Sequence, residues 1–168
     1  MSRWRPPAEK SSPYITAAGH ARLKTEFEQL WRVRRPEVVR ALSAAAAEGD
    51  RSENAEYQYR KKELREIDAR LKYLTTRLAE LKIVEARHDA EPRIYFGAEI
   101  ELADENGDEL RYRIVGADEA EQARGDISID APVARALLGR TLGDVVRVQL
   151  PGRVAEFEVL AVRYGTEA

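Results

Sequence analysis

The sequence is most constrained by a run of apolar residues in its first half that recurs every three or four positions. Six residues follow this spacing without a break: Leu64, Ile67, Leu71, Leu74, Leu78 and Leu81. Alternating steps of three and four place side chains along one stripe of an α-helix, which is the pattern of a coiled-coil seam. The pattern predicts a helix that packs on a second helix of the same chain, since a matching stripe lies nearby.

That matching stripe lies between about Thr16 and Glu48, where the chain is rich in alanine, leucine, glutamate and arginine. Its apolar positions are Leu23, Phe27, Leu30, Val38, Leu42 and Ala45. This spacing predicts one long amphipathic helix. We expect a kink at Pro36, because proline lacks the backbone N–H and its ring clashes with the preceding turn.

A short link, residues 48–53, joins the two predicted helices. Gly49 can adopt the left-handed backbone that ends a helix, and Asp50 or Ser52 can cap the next one. A link this short makes the helices antiparallel. At roughly 1.5 Å per residue, a hairpin with about 30 residues in each arm is on the order of 45–50 Å long. The sequence therefore predicts a finger with its turn at the far end.

The second half of the chain has the alternating pattern of β-strands. Two such runs flank Asn106-Gly107 and two more flank Pro151-Gly152, and both dipeptides are typical of turns between antiparallel strands. Between the pairs, residues 132–139 begin with proline and end with glycine, which indicates a short helix. The predicted fold class is α+β: an N-terminal antiparallel α-helical coiled-coil hairpin, then a small, mostly antiparallel sheet domain with one short helix.

Composition narrows the functional classes. The chain has no cysteine, which excludes disulfides, thiolate zinc sites and cysteine nucleophiles, and it has only two histidines. No apolar run is long enough for a membrane span or resembles a signal segment, so we expect a cytoplasmic protein without a membrane partner. The first 13 residues lack periodicity and are predicted to form a flexible tail.

The charges are divided unevenly along the chain. Up to residue 91 there are 19 Lys and Arg against 15 Asp and Glu, and beyond it there are 9 against 15. This split between segments of different pattern favours two domains with different partners, of which the basic one suits phosphate or an acidic surface.

The predicted turn at the end of the finger contains the candidate catalytic and metal-binding residues of the chain. Asp50 and Glu53 are three residues apart, so their carboxylates can point to one side. Two oxygen ligands suit a hard cation such as Mg²⁺, but octahedral coordination requires further ligands from elsewhere. The same spacing also fits a capping box, in which the two side chains satisfy backbone donors at the start of the second helix. The two interpretations are compatible.

A basic patch follows the turn. Arg60, Lys61, Lys62 and Arg65 occupy a turn and a half of the second helix, with Tyr57 and Tyr59 beside them. Such a patch can contact a nucleic-acid backbone with help from aromatic stacking. It can equally be a solvated helix face paired with nearby glutamates.

Three segments together resemble a known family. They are residues 34–37 (RRPE), 49–59 (GDRSENAEYQY) and 127–138 (ISIDAPVARALL). In this order they resemble the bacterial transcript cleavage factors of the GreA/GreB family, and residues 61–68 look more like its GreB branch. The resemblance covers about residues 14–164. It implies a coiled-coil hairpin domain over residues 14–88 and an FKBP-like polymerase-docking domain over residues 92–168.

The resemblance also implies a function. The protein is then a cytoplasmic, DNA-binding, monomeric transcription elongation factor that binds the bacterial RNA polymerase elongation complex and inserts its hairpin into the secondary channel. Asp50 and Glu53 would be the catalytic residues and would share Mg²⁺ with the polymerase, which holds the remaining ligands. The factor would be no enzyme by itself, and would stimulate the polymerase to cleave the 3′ end of backtracked RNA.

Further residue roles follow from the same resemblance. Lys61, Lys62 and Arg65 would bind the nascent RNA 3′ end, and Asp130, Ala131 and Pro132 would dock on a coiled coil of the polymerase. The family usually has a hydroxyl residue where this chain has Ala131. Three alternatives remain: a channel-binding regulator without cleavage activity, a coiled-coil adaptor that never meets RNA, and a prolyl isomerase with a helical appendage.

Overall fold

The computed structural model of the 168-residue chain describes residues 9–49, 54–85 and 93–165. The chain divides into two compact units, a helical unit of residues 20–81 and a sheet unit formed by the chain up to Gly19 and from Lys82 onward. The sequence placed residues 14–19 in the hairpin domain, whereas here they belong to the sheet unit, because a short strand at Tyr14–Ile15 pairs with Lys82–Ile83.

The first arm of the hairpin consists of α1 (Ala17–Gln29), a π-helical turn (Leu30–Arg34) and α2 (Arg35–Ala46). We predicted one long helix with a kink at Pro36. Instead, the helix widens just before the proline, where the backbone N–H of Arg35 donates to the carbonyl of Leu30, five residues earlier. Pro36 has no N–H to donate to the carbonyl of Arg32, so the ordinary four-residue spacing is lost there.

The second arm is α3, Ala55–Glu80, and it runs antiparallel to the first. Contacts between the arms fix the direction, because Glu26 pairs with Arg70 while Ala45, later in the first arm, bonds to Asn54, earlier in the second. The predicted antiparallel hairpin is confirmed. Three residues of the predicted seam, Val38, Ile67 and Leu71, are buried between the arms. Three partly buried residues pack against them: Phe27, Leu30 and Leu64.

The sheet unit contains five strands in the order β5-β4-β3-β7-β6 and a separate two-stranded pair. The pair is β1 (Tyr14–Ile15) and β2 (Lys82–Ile83), which are parallel. The five strands are β3 (Glu99–Asp104), β4 (Glu109–Val115), β5 (Asp126–Ser128), β6 (Val145–Leu150) and β7 (Arg153–Arg163).

Both predicted strand pairs are confirmed. β3 and β4 are antiparallel around Asn106-Gly107, and β6 and β7 are antiparallel around Pro151-Gly152, where Gly152 has a φ of +78°. β5 departs from the mostly antiparallel expectation, because it pairs with β4 in parallel. The FKBP-like topology stays a prediction.

The predicted short helix is α4, Pro132–Leu137, and it covers one face of the sheet. Ala134 and Leu137 are fully buried among strand residues such as Ile100, Leu102 and Ile114. Proline suits the first turn of a helix because its missing N–H would have no partner there. The packing of α4 on the sheet therefore fixes the backbone position of the residues at its start, which are the predicted docking residues Asp130, Ala131 and Pro132.

Candidate functional site

One asparagine forms hydrogen bonds to both helices at the link between α2 and α3. Asn54 lies directly before α3, and its side-chain oxygen accepts a hydrogen bond from the Tyr57 backbone N–H at 3.0 Å. Its side-chain N–H₂ donates to the carbonyl of Ala45 at 2.8 Å, near the end of α2. One side chain thus caps the first turn of α3 and bonds to the last turn of α2, where the Ala45 carbonyl also accepts from the Glu48 backbone N–H at 3.2 Å.

This observation corrects the predicted cap. The residue that caps α3 is Asn54, not Asp50 or Ser52, because the helix begins at Ala55 rather than earlier. The signal was present in the sequence, since asparagine is among the strongest capping residues and precedes the helix-forming pair Ala55-Glu56. Asp50 and Glu53, the predicted catalytic and metal-binding pair, lie outside the described residues.

The three residues predicted to bind RNA are all exposed on α3. Residues four apart share a face of an α-helix, so Lys61 and Arg65 point to the same side. Lys62 lies near Glu66 at 3.9 Å, with both side chains largely in solvent. Within the part of the chain that the structure describes, no ion pair engages Lys61 or Arg65.

Arg60 differs from its basic neighbours because its guanidinium is paired with two glutamates of α3. Its guanidinium donates to Glu56 at 2.8 Å and to Glu63 at 3.0 Å, and Arg34 of the first arm also pairs with Glu63. These hydrogen bonds, that to Glu56 first, raise the pKa of Arg60 above its usual range. The basic patch therefore consists of one arginine that is paired with glutamates of its own helix and three cations that face solvent.

An exposed tryptophan on the first arm was missed by the sequence analysis. Trp31 belongs to the π-helical turn and is 54% exposed, and the Arg35 guanidinium lies 5.8 Å from the centre of its ring. Arg35 also donates to Asp68 of α3 at 2.8 Å, which raises the pKa of Arg35. Because Asp68 is three residues beyond Arg65, this contact places Trp31 on the flank of the hairpin that carries Arg65.

The predicted docking residues connect β5 to α4. Ala131 is the N-cap residue of α4, with extended backbone angles and no side-chain hydrogen bond, and the exposed Pro132 is the first helical residue. The Asp130 backbone N–H donates to the Ser128 hydroxyl at 3.1 Å. A hydroxyl residue at position 131 could cap α4, whereas alanine cannot.

The Asp130 carboxylate is held by a residue near the start of the chain. The Ser12 backbone N–H donates to Oδ2 at 2.8 Å, and the Ser12 hydroxyl donates to Oδ1. The sequence analysis assigned Ser12 to a flexible tail. No local pattern could have revealed this contact, because the two residues are 118 positions apart.

Two further properties bear on the class of protein. Among residues 9–49, 54–85 and 93–165, no three histidine or carboxylate side chains are grouped so that they could hold a metal ion. No helix within these residues has the length and apolar character needed to cross a membrane.

Comparisons with known proteins identify the family. A profile described as "Transcription elongation factor, N-terminal" matches residues 13–83, and one described as "Transcription elongation factor, GreA/GreB, C-term" matches residues 89–164. Transcription elongation factor GreB of Xanthomonas axonopodis pv. citri is 58% identical over 167 residues, with 99% of each chain covered. The protein of the same name from Pseudomonas aeruginosa is 51% identical over 164 residues, with 98% of each covered.

Among solved structures, Thermus aquaticus Gfh1 is 30% identical and is matched over 93% of this chain and 100% of its own, with a TM-score of 0.41. This geometric likeness is weak, so the assignment depends on the sequence matches. Both halves of the chain match the two family profiles in order, and the relatives match over nearly their full length. The chain therefore belongs to the GreA/GreB family of transcription elongation factors.

Proposed function

We propose that this protein stimulates RNA polymerase to cleave the 3′ end of backtracked RNA, and that arrested elongation complexes thereby resume synthesis. The observation that carries the proposal is the antiparallel hairpin whose link, residues 48–53, contains Asp50 and Glu53, two carboxylates that are not needed to cap α3. Asn54 already caps α3, so the capping explanation for Asp50 and Glu53 loses its main support. The family membership favours the same function.

The donor set in the link suits a shared Mg²⁺ site. Carboxylate oxygens are the ligands that Mg²⁺ prefers, and Asp50 and Glu53 supply two of them. Two carboxylates cannot complete octahedral coordination, so further ligands are needed, and the family resemblance assigns them to the polymerase active centre. When bound, Mg²⁺ would stabilise the negative charge that develops on the reacting phosphodiester.

The role of the two carboxylates is to position a water molecule beside the RNA backbone. The water oxygen attacks phosphorus, and the bond from phosphorus to the 3′ oxygen of the preceding nucleotide breaks. The departing 3′ oxygen gains a proton, for which the attacking water is the net source, and becomes the new 3′ hydroxyl of the shortened RNA, while the excised fragment keeps the phosphate at its 5′ end. Each 1.4 kcal/mol by which the transition state is stabilised increases the rate about tenfold. A modest contribution to an existing catalytic centre can therefore raise cleavage by orders of magnitude, while the factor alone stays inactive.

The exposed cations of α3 would hold the extruded RNA. Lys61, Lys62 and Arg65 begin seven residues after Asn54, or roughly 10 Å along the helix at 1.5 Å per residue. They are solvent-facing, and the hairpin uses Arg60 for its own ion pairs instead. The sheet unit would dock on the polymerase through Asp130, Ala131 and Pro132.

The deciding experiment combines purified protein with a backtracked polymerase complex that carries 3′-labelled RNA and Mg²⁺. We expect the parent to release short labelled fragments. Asp50→Asn and Glu53→Gln should each lower the cleavage rate by at least about a hundredfold, because each removes a charged ligand with little change of shape. Glu48→Gln is the matched control, since it neutralises the exposed acid that begins the link and has no proposed role in metal binding.

If both variants cleave like the parent, the assignment of the link is wrong. If the parent binds the polymerase and releases no fragments, the protein is instead a channel-binding regulator without cleavage activity.

A second experiment tests whether α3 binds RNA. The double change Lys61→Gln with Arg65→Gln should reduce crosslinking of the hairpin to the 3′ segment of backtracked RNA several-fold, because two phosphate contacts are removed. Lys24→Gln, which neutralises an exposed lysine on α1, should leave crosslinking unchanged. Equal crosslinking by the double variant and the parent would show that the basic patch is only a solvated face.

A further inference from the structure

We propose that Ser12 positions the Asp130 carboxylate for docking, so that the segment before β1 is part of the surface that meets the polymerase. This inference rests on the proposed function, because it takes Asp130 to be a docking residue. It assigns a role to a segment for which the sequence predicted only flexibility.

The contact is specific because one residue engages both carboxylate oxygens. The Ser12 backbone N–H donates to Oδ2 at 2.8 Å, and its hydroxyl donates to Oδ1. The terminal torsion of an aspartate side chain is broad, so a carboxylate with a single partner can rotate. Donors on both oxygens fix the plane of the group, which sets the direction from which a further donor can approach.

Both partners in this contact are themselves held by backbone interactions. The carbonyl of Pro13, next to Ser12, accepts a hydrogen bond from the Lys82 backbone N–H at 2.7 Å. Ile15, the second residue of β1, is fully buried. On the other side, Asp130 lies between Ser128, to whose hydroxyl its N–H donates, and the start of α4. Ser12 can therefore hold the carboxylate in one orientation.

The chemistry of this surface indicates what it would bind. A carboxylate offers about four acceptor sites, so the two bonds from Ser12 do not by themselves saturate the Asp130 carboxylate. Pro132 is exposed two residues away and offers an apolar contact. A cationic side chain fits both features, because its charged end can reach Asp130 while its aliphatic stem packs on the proline. The surface therefore suits an arginine or lysine side chain of the polymerase.

The experiment titrates factor against the backtracked polymerase complex and measures two quantities, the concentration that gives half-maximal cleavage and the rate at saturation. Ser12→Ala should raise the first about three- to tenfold, because Oδ1 of the carboxylate loses the hydroxyl that orients it, and should leave the second unchanged. Ser12→Thr retains the hydroxyl and should restore the parental value. Thr25→Ala, which removes an exposed hydroxyl of α1, is the control and should behave like the parent.

Two further measurements separate positioning from general stability. Circular dichroism should show that Ser12→Ala is folded well above the assay temperature. In an Asp130→Ala background, Ser12→Ala should have no additional effect on the half-maximal concentration, because the group that it orients is gone. An additional effect there would mean that Ser12 acts independently of Asp130, and the inference would be overturned.

The remaining outcomes distinguish this inference from the function on which it rests. If Asp130→Ala weakens docking while Ser12→Ala does not, docking through Asp130 stands and the positioning role of Ser12 is wrong. If Asp130→Ala docks like the parent, the docking assignment fails and the inference fails with it.

Discussion

Glu119 is a buried carboxylate that joins two distant segments of the sheet unit. It accepts hydrogen bonds from the Thr16 backbone N–H at 3.0 Å, from the Thr16 hydroxyl and from the Gly116 backbone N–H at 2.8 Å. The Thr16 hydroxyl also accepts from the Gly19 N–H at 3.0 Å at the start of α1. A buried carboxylate requires such donors because an unpaired charge away from water is costly.

Gly116 has no room for a side chain at this site, so its replacement should be destabilising. A Cβ atom there would collide with the backbone carbonyl oxygen of Tyr14 and would lie 2.9 Å from the Glu119 carboxylate. We expect Gly116→Ala to lower the free energy of unfolding by about 1–3 kcal/mol, the range for overpacking a filled interior, as measured by urea denaturation. Gly165→Ala is the control, because its Cβ would meet only an ordinary contact at 3.5 Å. Equal stability of the two variants would contradict the packing at Gly116.

At the scale of elements, the hairpin arms are joined by ion pairs as well as by their seam. Arg70 donates to both oxygens of Glu26, at 2.7 and 2.9 Å, and these hydrogen bonds lower the pKa of Glu26 below its ordinary value of 4.5, against the opposing effect of partial burial. Both side chains are more than a third exposed, so the pair is screened and contributes less than about 1 kcal/mol.

The contribution of Glu26 should depend on pH in a defined direction. Because its pKa is lower in the folded state than in the unfolded state, the pair stabilises the fold above pH 4.5, and the stabilisation is lost as pH falls through the folded value. Glu26→Gln should therefore unfold more easily than the parent at neutral pH, and the difference should vanish in strong acid. Thermal unfolding across this range measures it. Glu28→Gln, whose partner Arg32 lies on the same arm, is the control for loss of charge.

The elements that sequence reasoning predicted well are those with local signals. The three-and-four spacing from Leu64 located α3, and Asn106-Gly107 located the turn between β3 and β4. The π-helical turn was not predicted, because apolar spacing shows where a helix is disturbed and not how its hydrogen bonds are rearranged. The contact of Ser12 with Asp130 escaped because it depends on how strands distant in sequence are brought together.

At the scale of the whole molecule, docking, RNA contact and cleavage are assigned to different residues, so they should be separable. The double variant Asp50→Asn with Glu53→Gln should bind the polymerase like the parent but should not stimulate cleavage. In a mixed reaction it should therefore inhibit the parent in proportion to its excess, as a competitor for one site. The measurement is the rate of fragment release at increasing variant concentration. Absence of inhibition would show that the link residues are needed for binding as well.

The parallel pairing of β1 and β2 also affects how this architecture can change. Tyr14 lies beside Lys82 and Ile15 beside Ile83, so the intervening 66 residues begin and end at neighbouring points of one small ladder. Insertions are tolerated best where the ends of the inserted piece are close together. We therefore expect that residues 16–81 can be replaced by the corresponding hairpin of a relative, and that a chimera that keeps β1 and β2 retains the fold of the sheet unit.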